Sequence, residues 1–240
     1  MMAVMTDSTN VTGPAGPAGN RRRRADARAN HTALLDAAAR VLLRDGYAVP
    51  LDRIAHEAGV GVGTLYRNFS DRDELITAVV DRSYKLVAEL ARAAAESPAE
   101  PLDALAGFFA GVVDQRDRLV LPMMGGPAVT GRINPHSFEI STALQSVIQR
   151  GISAGTIRAD VGAPDVMVAG AMLGQPQLPP EAWRVASRRI AAVLLDGLRA
   201  RPDQRELPLS FTREEFSAAL TAPEDRSARS RTARRSVSGR

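Results

Sequence analysis

The sequence contains no cysteine and no long apolar run, and both absences narrow its possible chemistry. Without thiols we expect no disulfide framework, no thiolate nucleophile and no cysteine-ligated zinc or iron–sulfur site, which suits a reducing cytoplasm. The least charged stretches are broken by proline and glycine, and they fall short of the about 20 continuous apolar residues of a membrane helix. Residues 1–20 lack the apolar core of a signal peptide. We therefore expect a soluble, cytoplasmic protein with no membrane partner.

Motifs of catalysis and cofactor binding are also lacking. The three histidines are far apart, without the i, i+4 pairing of a metal site. Gly59, Gly61 and Gly63 follow no predicted strand and have neither Rossmann nor P-loop spacing. Serine, histidine and aspartate occur without a nucleophile elbow. The sequence thus predicts no metal, no cofactor and no enzymatic activity.

What the chain does have is helix-forming composition and an uneven charge. Stretches rich in Ala, Leu, Arg and Glu predict an all-α fold. The net charge is +4, with ten arginines against six acids in residues 21–72 and six arginines against two acids in 222–240. The middle is mildly acidic. This pattern suits a polyanion partner, but an arginine-biased solvated surface explains it as well, and charge alone leaves both open.

Apolar residues at spacings of three and four predict the helices. The first ends at Asp45-Gly46, and short helices follow over Leu51–Ala58 and Val62–Phe69. A long fourth helix is capped by Ser70 or Asp71, with Asp73 or Glu74 completing a capping box, and runs to Glu96. Further helices are predicted at 101–118, 137–154, 163–174, 180–200 and 212–221, with a Pro/Gly-rich loop over 121–135.

Two short helices joined by a glycine-containing turn, behind a longer helix, are typical of a helix-turn-helix. With Leu65 and Phe69 facing inward at i and i+4, the outer surface of the second short helix carries polar groups that can bond to phosphates and base edges. These groups belong to Thr64, Tyr66, Arg67 and Asn68. The small Gly61 and Gly63 would let backbone amides approach a phosphate.

One extended motif covers Ala58-Gly59-Val60-Gly61-Val62-Gly63-Thr64-Leu65-Tyr66-Arg67-Asn68-Phe69, with Gly46-Tyr47 and Ile54-Ala55 before it and Arg72, Leu75 and Ile76 after it. This motif resembles the DNA-binding domain of TetR-family regulators. The resemblance spans roughly residues 24–80. A weaker one, in Ile152–Val161 and Leu195–Arg199, is to an actinobacterial-type branch. The TetR-family resemblance implies a DNA-binding head at 24–70 and a ligand-binding and dimerisation domain at 71–221. The composition of the ends predicts a disordered basic arm at 1–23 and a disordered basic tail at 222–240.

The resemblance also implies the site. Thr64 and Arg67 would read bases or phosphates in the major groove, Tyr66 and Asn68 would clamp phosphates, and Arg72 would touch the DNA backbone. The predicted DNA-binding set is Arg24, Arg53, Gly61, Val62, Gly63, Thr64, Tyr66, Arg67, Asn68 and Arg72.

Three positions depart from the family pattern. Pro50 stands where the family usually has Ser or Thr, Gly61 replaces the usual capping Ser, and Asn68 replaces the usual His. Each change removes or shortens a polar contact with DNA. The N-terminal arginines can compensate along the DNA backbone or in the minor groove.

The family resemblance implies a pocket for an unknown small-molecule inducer. Soft methionines and flat aromatics suit its walls, although ordinary core packing explains the same residue types. The predicted lining is Phe108, Phe109, Met123, Met124, Phe138, Met172 and Trp183, with Met167 as a further candidate. The last long helix carries Trp183, Val185, Ile190, Val193, Leu194 and Leu198, which indicate core or the face of a homodimer.

The resulting hypothesis is a homodimeric, ligand-responsive transcriptional regulator on a double-stranded, pseudo-palindromic operator. Release by a small molecule would make it a repressor, although one chain does not separate repressor from activator. The alternative is a helical ligand-binding or protein-interaction module whose basic head meets an acidic protein.

Overall fold

A computed structural model describes residues 17–120, 134–175 and 178–209, together with Thr212 and Glu215. Within these residues the chain is all-α, as predicted, and its only β pairing is an isolated bridge between Ile157 and Arg199. The helices are α1 (Pro17–Asp45), α2 (Leu51–Glu57), α3 (Val62–Asn68), α4 (Arg72–Glu96), α5 (Pro101–Asp114), a 3₁₀ turn (Arg116–Arg118), α6 (Pro135–Ser153), α7 (Ala163–Leu173) and α8 (Pro180–Leu198).

Local sequence signals set most of these ends. Gly46 follows α1 with a φ of 82°, a left-handed conformation that glycine adopts without steric cost. Asp71 caps α4 by accepting from the Glu74 amide at 2.8 Å, while the Glu74 carboxylate accepts from the Ser70 amide at 2.6 Å. This second bond is the main reason that the pKa of Glu74 is lowered. Asp71 is therefore the N-cap, whereas Glu74 bonds the amide of the residue before the cap and so does not form the standard capping box.

The structure differs from the predicted helices in two places. The N-terminal arm was predicted to be disordered through residue 23, whereas α1 begins at Pro17. Arginine and alanine are good helix formers, so they extend the helix upstream. The helix predicted over 101–118 ends at Asp114, and a 3₁₀ turn follows. Most of the predicted loop 121–135, the helix 212–221 and the tail 222–240 lie outside the described residues.

Two hydrophobic cores hold the helices together. The head core combines α1, α2 and α3 with the first part of α4, from Leu75 to Val80. The body core combines the rest of α4 with α5, α6, α7 and α8. Tyr84 packs against both. The head therefore extends past residue 70, where the sequence analysis placed its boundary, because the start of α4 closes the head core.

A strap follows α8 and returns across the α6–α7 connection. The buried Arg158 guanidinium donates to both Asp160 oxygens, at 2.6 and 2.8 Å, and to the Arg205 carbonyl at 2.5 Å. Asp160 also accepts from the Leu207 amide at 2.8 Å. The Arg158 guanidinium, first, and then the Leu207 amide hold the pKa of Asp160 well below its usual range. These two contacts, together with the backbone hydrogen bond from the Ala200 amide to the Thr156 carbonyl, hold residues 200–207 on the body.

No helix in the described ranges is both long and apolar enough to cross a membrane.

Candidate nucleic-acid interface

The turn between α2 and α3 is a two-bond Schellman motif. The Gly59 amide donates to the His56 carbonyl and the Val60 amide to the Ala55 carbonyl, both at 3.0 Å. Gly59 has a φ of 68°, in the left-handed region that this motif needs at the residue after the helix cap. The motif satisfies the last carbonyls of α2 and turns the chain toward α3.

The helix α3 has one buried and one exposed face. Leu65 is fully buried and Phe69 almost so, and the His31 ring stacks on Phe69 with centroids 5.1 Å apart. On the other side Tyr66 keeps 55% of its surface exposed and Val62 43%, and Arg67 is also exposed. The structure thus places the polar segment of α3 on the protein surface, as the helix-turn-helix prediction requires.

Hydrogen bonds within α3 orient two of its polar side chains. The Arg67 guanidinium donates to the Thr64 hydroxyl at 2.9 Å, and the Asn68 side-chain amide donates to the Thr64 carbonyl at 2.8 Å. Thr64 and Asn68 are half-buried. Arg67 retains further N–H donors, whereas one donor of Asn68 is occupied by its own helix. Arg67 is therefore better placed than Asn68 to meet an external acceptor.

The other predicted DNA-binding arginines have separate surroundings. Arg72 donates to the Tyr47 carbonyl at 2.8 Å and so ties the start of α4 to the turn after α1. Arg53, exposed on α2, lies 3.4 Å from the Asp45 carboxylate. Arg24 lies in α1, but its side chain is outside the described part of the structure. Gly61, Val62 and Gly63 are exposed at the start of α3.

Asp45 is a polar residue of the head that sequence reasoning used only to end α1. Its carboxylate accepts from Arg44, at 3.0 and 3.1 Å, and also faces Arg53. The hydrogen bond from Arg44 is the main reason that the pKa of Asp45 is lowered. The clue in the sequence is Asp45 directly after Arg44, but its contact with Arg53 depends on how α2 packs against α1.

The residues predicted to line a ligand pocket do not share one environment. Phe108 and Phe109 are buried in the body core, with ring centroids 5.7 Å apart. Trp183 is also buried, and its indole donates to the Leu173 carbonyl at 3.2 Å. Phe138 and Met172 have 60% and 64% of their surface exposed. Met123 and Met124 lie outside the described residues, and Met167 packs at the edge of the core.

The helices form a helix-turn-helix that presents a polar helix face to solvent. This architecture is that of a DNA-binding transcriptional regulator. Residues 34–79 match the model of the family described as bacterial regulatory proteins, tetR family. A TetR transcriptional regulator from Streptomyces coelicolor is 30% identical in sequence, over 71% of this chain and 98% of that one, with a TM-score of 0.48. The chain belongs to the TetR family.

Further solved structures share the fold at lower identity. The TetR family protein CprB from S. coelicolor A3(2) is 21% identical over 81% of this chain and 98% of that one, with a TM-score of 0.58. A gamma-butyrolactone receptor (ArpA-like protein) is 23% identical over 82% of this chain and 97% of that one, with a TM-score of 0.52. A comparison with curated proteins gave no match.

Proposed function

We propose that this protein is a homodimeric, ligand-responsive repressor that binds a pseudo-palindromic operator and leaves it when a small molecule enters its body. The observation that carries the proposal is the division of the α3 segment into a buried side, with Leu65 and the following Phe69, and an exposed side with Tyr66 and Arg67. A helix exposed in this way can enter the major groove without unfolding the head.

Arg67 and Tyr66 are the residues that we assign to direct DNA contact. Arg67 can present paired N–H donors to guanine O6 and N7 or to a phosphate. Tyr66 can place its hydroxyl on a phosphate. Thr64 steadies Arg67 at 2.9 Å and can contact the backbone itself. We assign Arg24, Arg53, Asn68, Arg72 and the Gly61–Gly63 backbone to supporting contacts.

A homodimer would bring two such helices to one operator. On α8, Val185, Ile190 and Val193 are exposed by 63%, 44% and 72%, while Trp183 faces the core. Such an apolar surface on a helix that is polar elsewhere suits a subunit interface. Two related heads would then read half-sites about 34–36 Å apart or a multiple of that distance.

The body would receive the small molecule near the aromatic residues Phe108, Phe109 and Trp183. A protein with the same fold is a gamma-butyrolactone receptor, which supports a small-molecule input for this fold. The ligand acts only if it binds the released conformation more tightly than the DNA-bound one, since equal affinity shifts no population. We assign the body this sensing role rather than catalysis, and place the protein in the cytoplasm with the DNA.

The test is a mobility-shift assay with DNA from upstream of the protein's own gene. We expect preference for this DNA over random sequence at physiological salt. Arg67→Ala should weaken operator binding by about 1–3 kcal/mol. Lys85→Ala is the matched control, since it removes one exposed positive charge from α4 rather than α3. Equal binding of operator and random DNA, with tight binding to an acidic protein, would favour the interaction-module alternative.

A second experiment tests the basic N-terminus. Deleting residues 1–24 should make the affinity for DNA depend less steeply on salt if the arginines contact phosphates. Binding would then neutralise fewer phosphates and release fewer counterions. An unchanged slope would remove the arginines from the interface. Transcription from the operator in the presence and absence of the protein separates repression from activation.

A further inference from the structure

The segment that follows α5 joins the two cores. After the 3₁₀ turn, Leu119 packs in the body core and Val120 packs in the head core, and each is 1% exposed. Two consecutive residues thus face different halves of the molecule. The segment Arg116–Val120, which we name the seam, is a contact between body and head in addition to the continuous helix α4.

Ser83 on α4 fixes the backbone of the seam. Its side chain is fully buried, and its hydroxyl accepts from the Val120 amide at 2.9 Å. The hydroxyl hydrogen points to the Val79 carbonyl at 2.8 Å, with the Arg118 carbonyl further away at 3.3 Å. The position of Val120 along α4 is therefore set by hydrogen bonding as well as by packing.

Asp36 on α1 connects the seam to the head from the other side. The same carboxylate oxygen receives the Arg82 guanidinium of α4 in a short ion pair and lies 3.5 Å from the Arg118 guanidinium of the seam. The Arg82 side chain is only 16% exposed, so this charge depends on its partner more than a surface arginine does. One carboxylate thereby joins α1, α4 and the seam.

We propose that Asp36 is a positioning residue that holds the DNA-binding head at a fixed angle to the body. A displacement of α5, where Phe108 and Phe109 lie, reaches α1 through the seam and Asp36 and does not depend on α4 alone. Its regulatory purpose rests on the proposed function. The physical claim, a fixed angle between head and body, does not.

A distance measurement within one chain tests this claim without DNA or ligand. Because the sequence has no cysteine, His56→Cys on α2 and Ser146→Cys on α6 introduce two unique, exposed sites for spin labels. The labelled chain is diluted into an excess of unlabelled chain, so that pulsed dipolar spectroscopy reports only the distance within one protomer. Asp36→Asn should shift or broaden the distance distribution.

The matched control is Glu139→Gln, which removes one negative charge as Asp36→Asn does. Glu139 on α6 pairs with Arg92 of α4, so this variant also removes one carboxylate from an ion pair on α4, but within the body. We expect it to leave the distribution as in the unsubstituted chain. Equal distributions for Asp36→Asn and the unsubstituted chain would overturn the proposal.

Arg118 variants keep the test decisive if Asp36→Asn does not fold. Arg118→Gln leaves the Asp36–Arg82 pair in place and should broaden the distribution, while Arg118→Lys should restore much of it by keeping the charge. Where Asp36→Asn does fold, adding Arg118→Gln to it should have no further effect, because the two residues act through one contact. Independent, additive effects would contradict a shared clamp. Loss of operator binding with an unchanged distribution would count against the clamp but not against the DNA-binding head.

Discussion

Replacing Gly59 by alanine gives the most direct test of the helix-turn-helix geometry. No described atom lies within 4 Å of a Cβ built at this position, so the substitution creates no clash. The φ of 68° remains, and an L-residue in this left-handed conformation costs about 1–2 kcal/mol. The expected loss of stability is therefore due to the backbone alone.

Gly61→Ala is the matched control two residues away. Gly61 has the same open surroundings, but its φ of −69° and ψ of 148° are ordinary for alanine. Alanine reduces the entropy of the unfolded chain, which stabilises the fold by about 0.4–1 kcal/mol, whereas it is a poorer helix cap than glycine by a similar amount. We expect these effects to cancel nearly.

Urea unfolding followed by circular dichroism measures both variants. Gly59→Ala should unfold at lower urea with an unchanged m-value, and its Tm should fall by about 2–8 °C if the whole chain unfolds as one unit. Gly61→Ala should match the unsubstituted protein. If both variants have the same stability, the left-handed turn at Gly59 is not present in solution and the proposed orientation of α3 loses its support.

Three further outcomes follow from the structure. Gly63→Ala, inside α3 with open space around it, should raise stability by up to about 1 kcal/mol yet weaken operator binding, which thermal unfolding and mobility shift measure separately. Phe109→Ala, 1% exposed in the body core, should cost about 3–5 kcal/mol in urea unfolding; a loss below about 1 kcal/mol would contradict its packing. Because the Arg158 pair lowers the pKa of Asp160, its stabilisation of the strap is complete above the unfolded-state pKa of about 3.9 and is lost as the pH falls toward the lower folded-state pKa. The protection of the Leu207 amide against hydrogen exchange, taken relative to the intrinsic rate at each pH, should therefore fall on acidification, and Asp160→Asn should remove that dependence.

The helix-turn-helix could be predicted from sequence because its signals are local. Leu65 and Phe69 are four residues apart and both are buried, Leu65 within α3 and Phe69 directly after its last residue. Gly59 supplies the turn within three residues of the next helix. The start of the fourth helix could be predicted in the same way, since the N-cap Asp71 and the residues that bond beside it lie within Ser70–Glu74.

The seam and the pocket depended on information that the local sequence lacks. The pattern of residues 101–118 favours one helix, but the chain leaves α-helical geometry at Gln115 and places Leu119 and Val120 in different cores. Asp36 and Arg82 are 46 residues apart, so no spacing rule links them. Hydrophobic type likewise did not separate the buried Phe109 from the exposed Phe138.

The division into two cores has a consequence for how the molecule melts. We expect each core to open as a cooperative unit that is coupled to the other through α4, since α4 contributes to both. Partial opening of the smaller, N-terminal unit disables DNA recognition while the C-terminal unit stays folded. On heating, DNA binding would then be lost at a lower temperature than the fold of the C-terminal unit. Calorimetry would show two unfolding transitions rather than one.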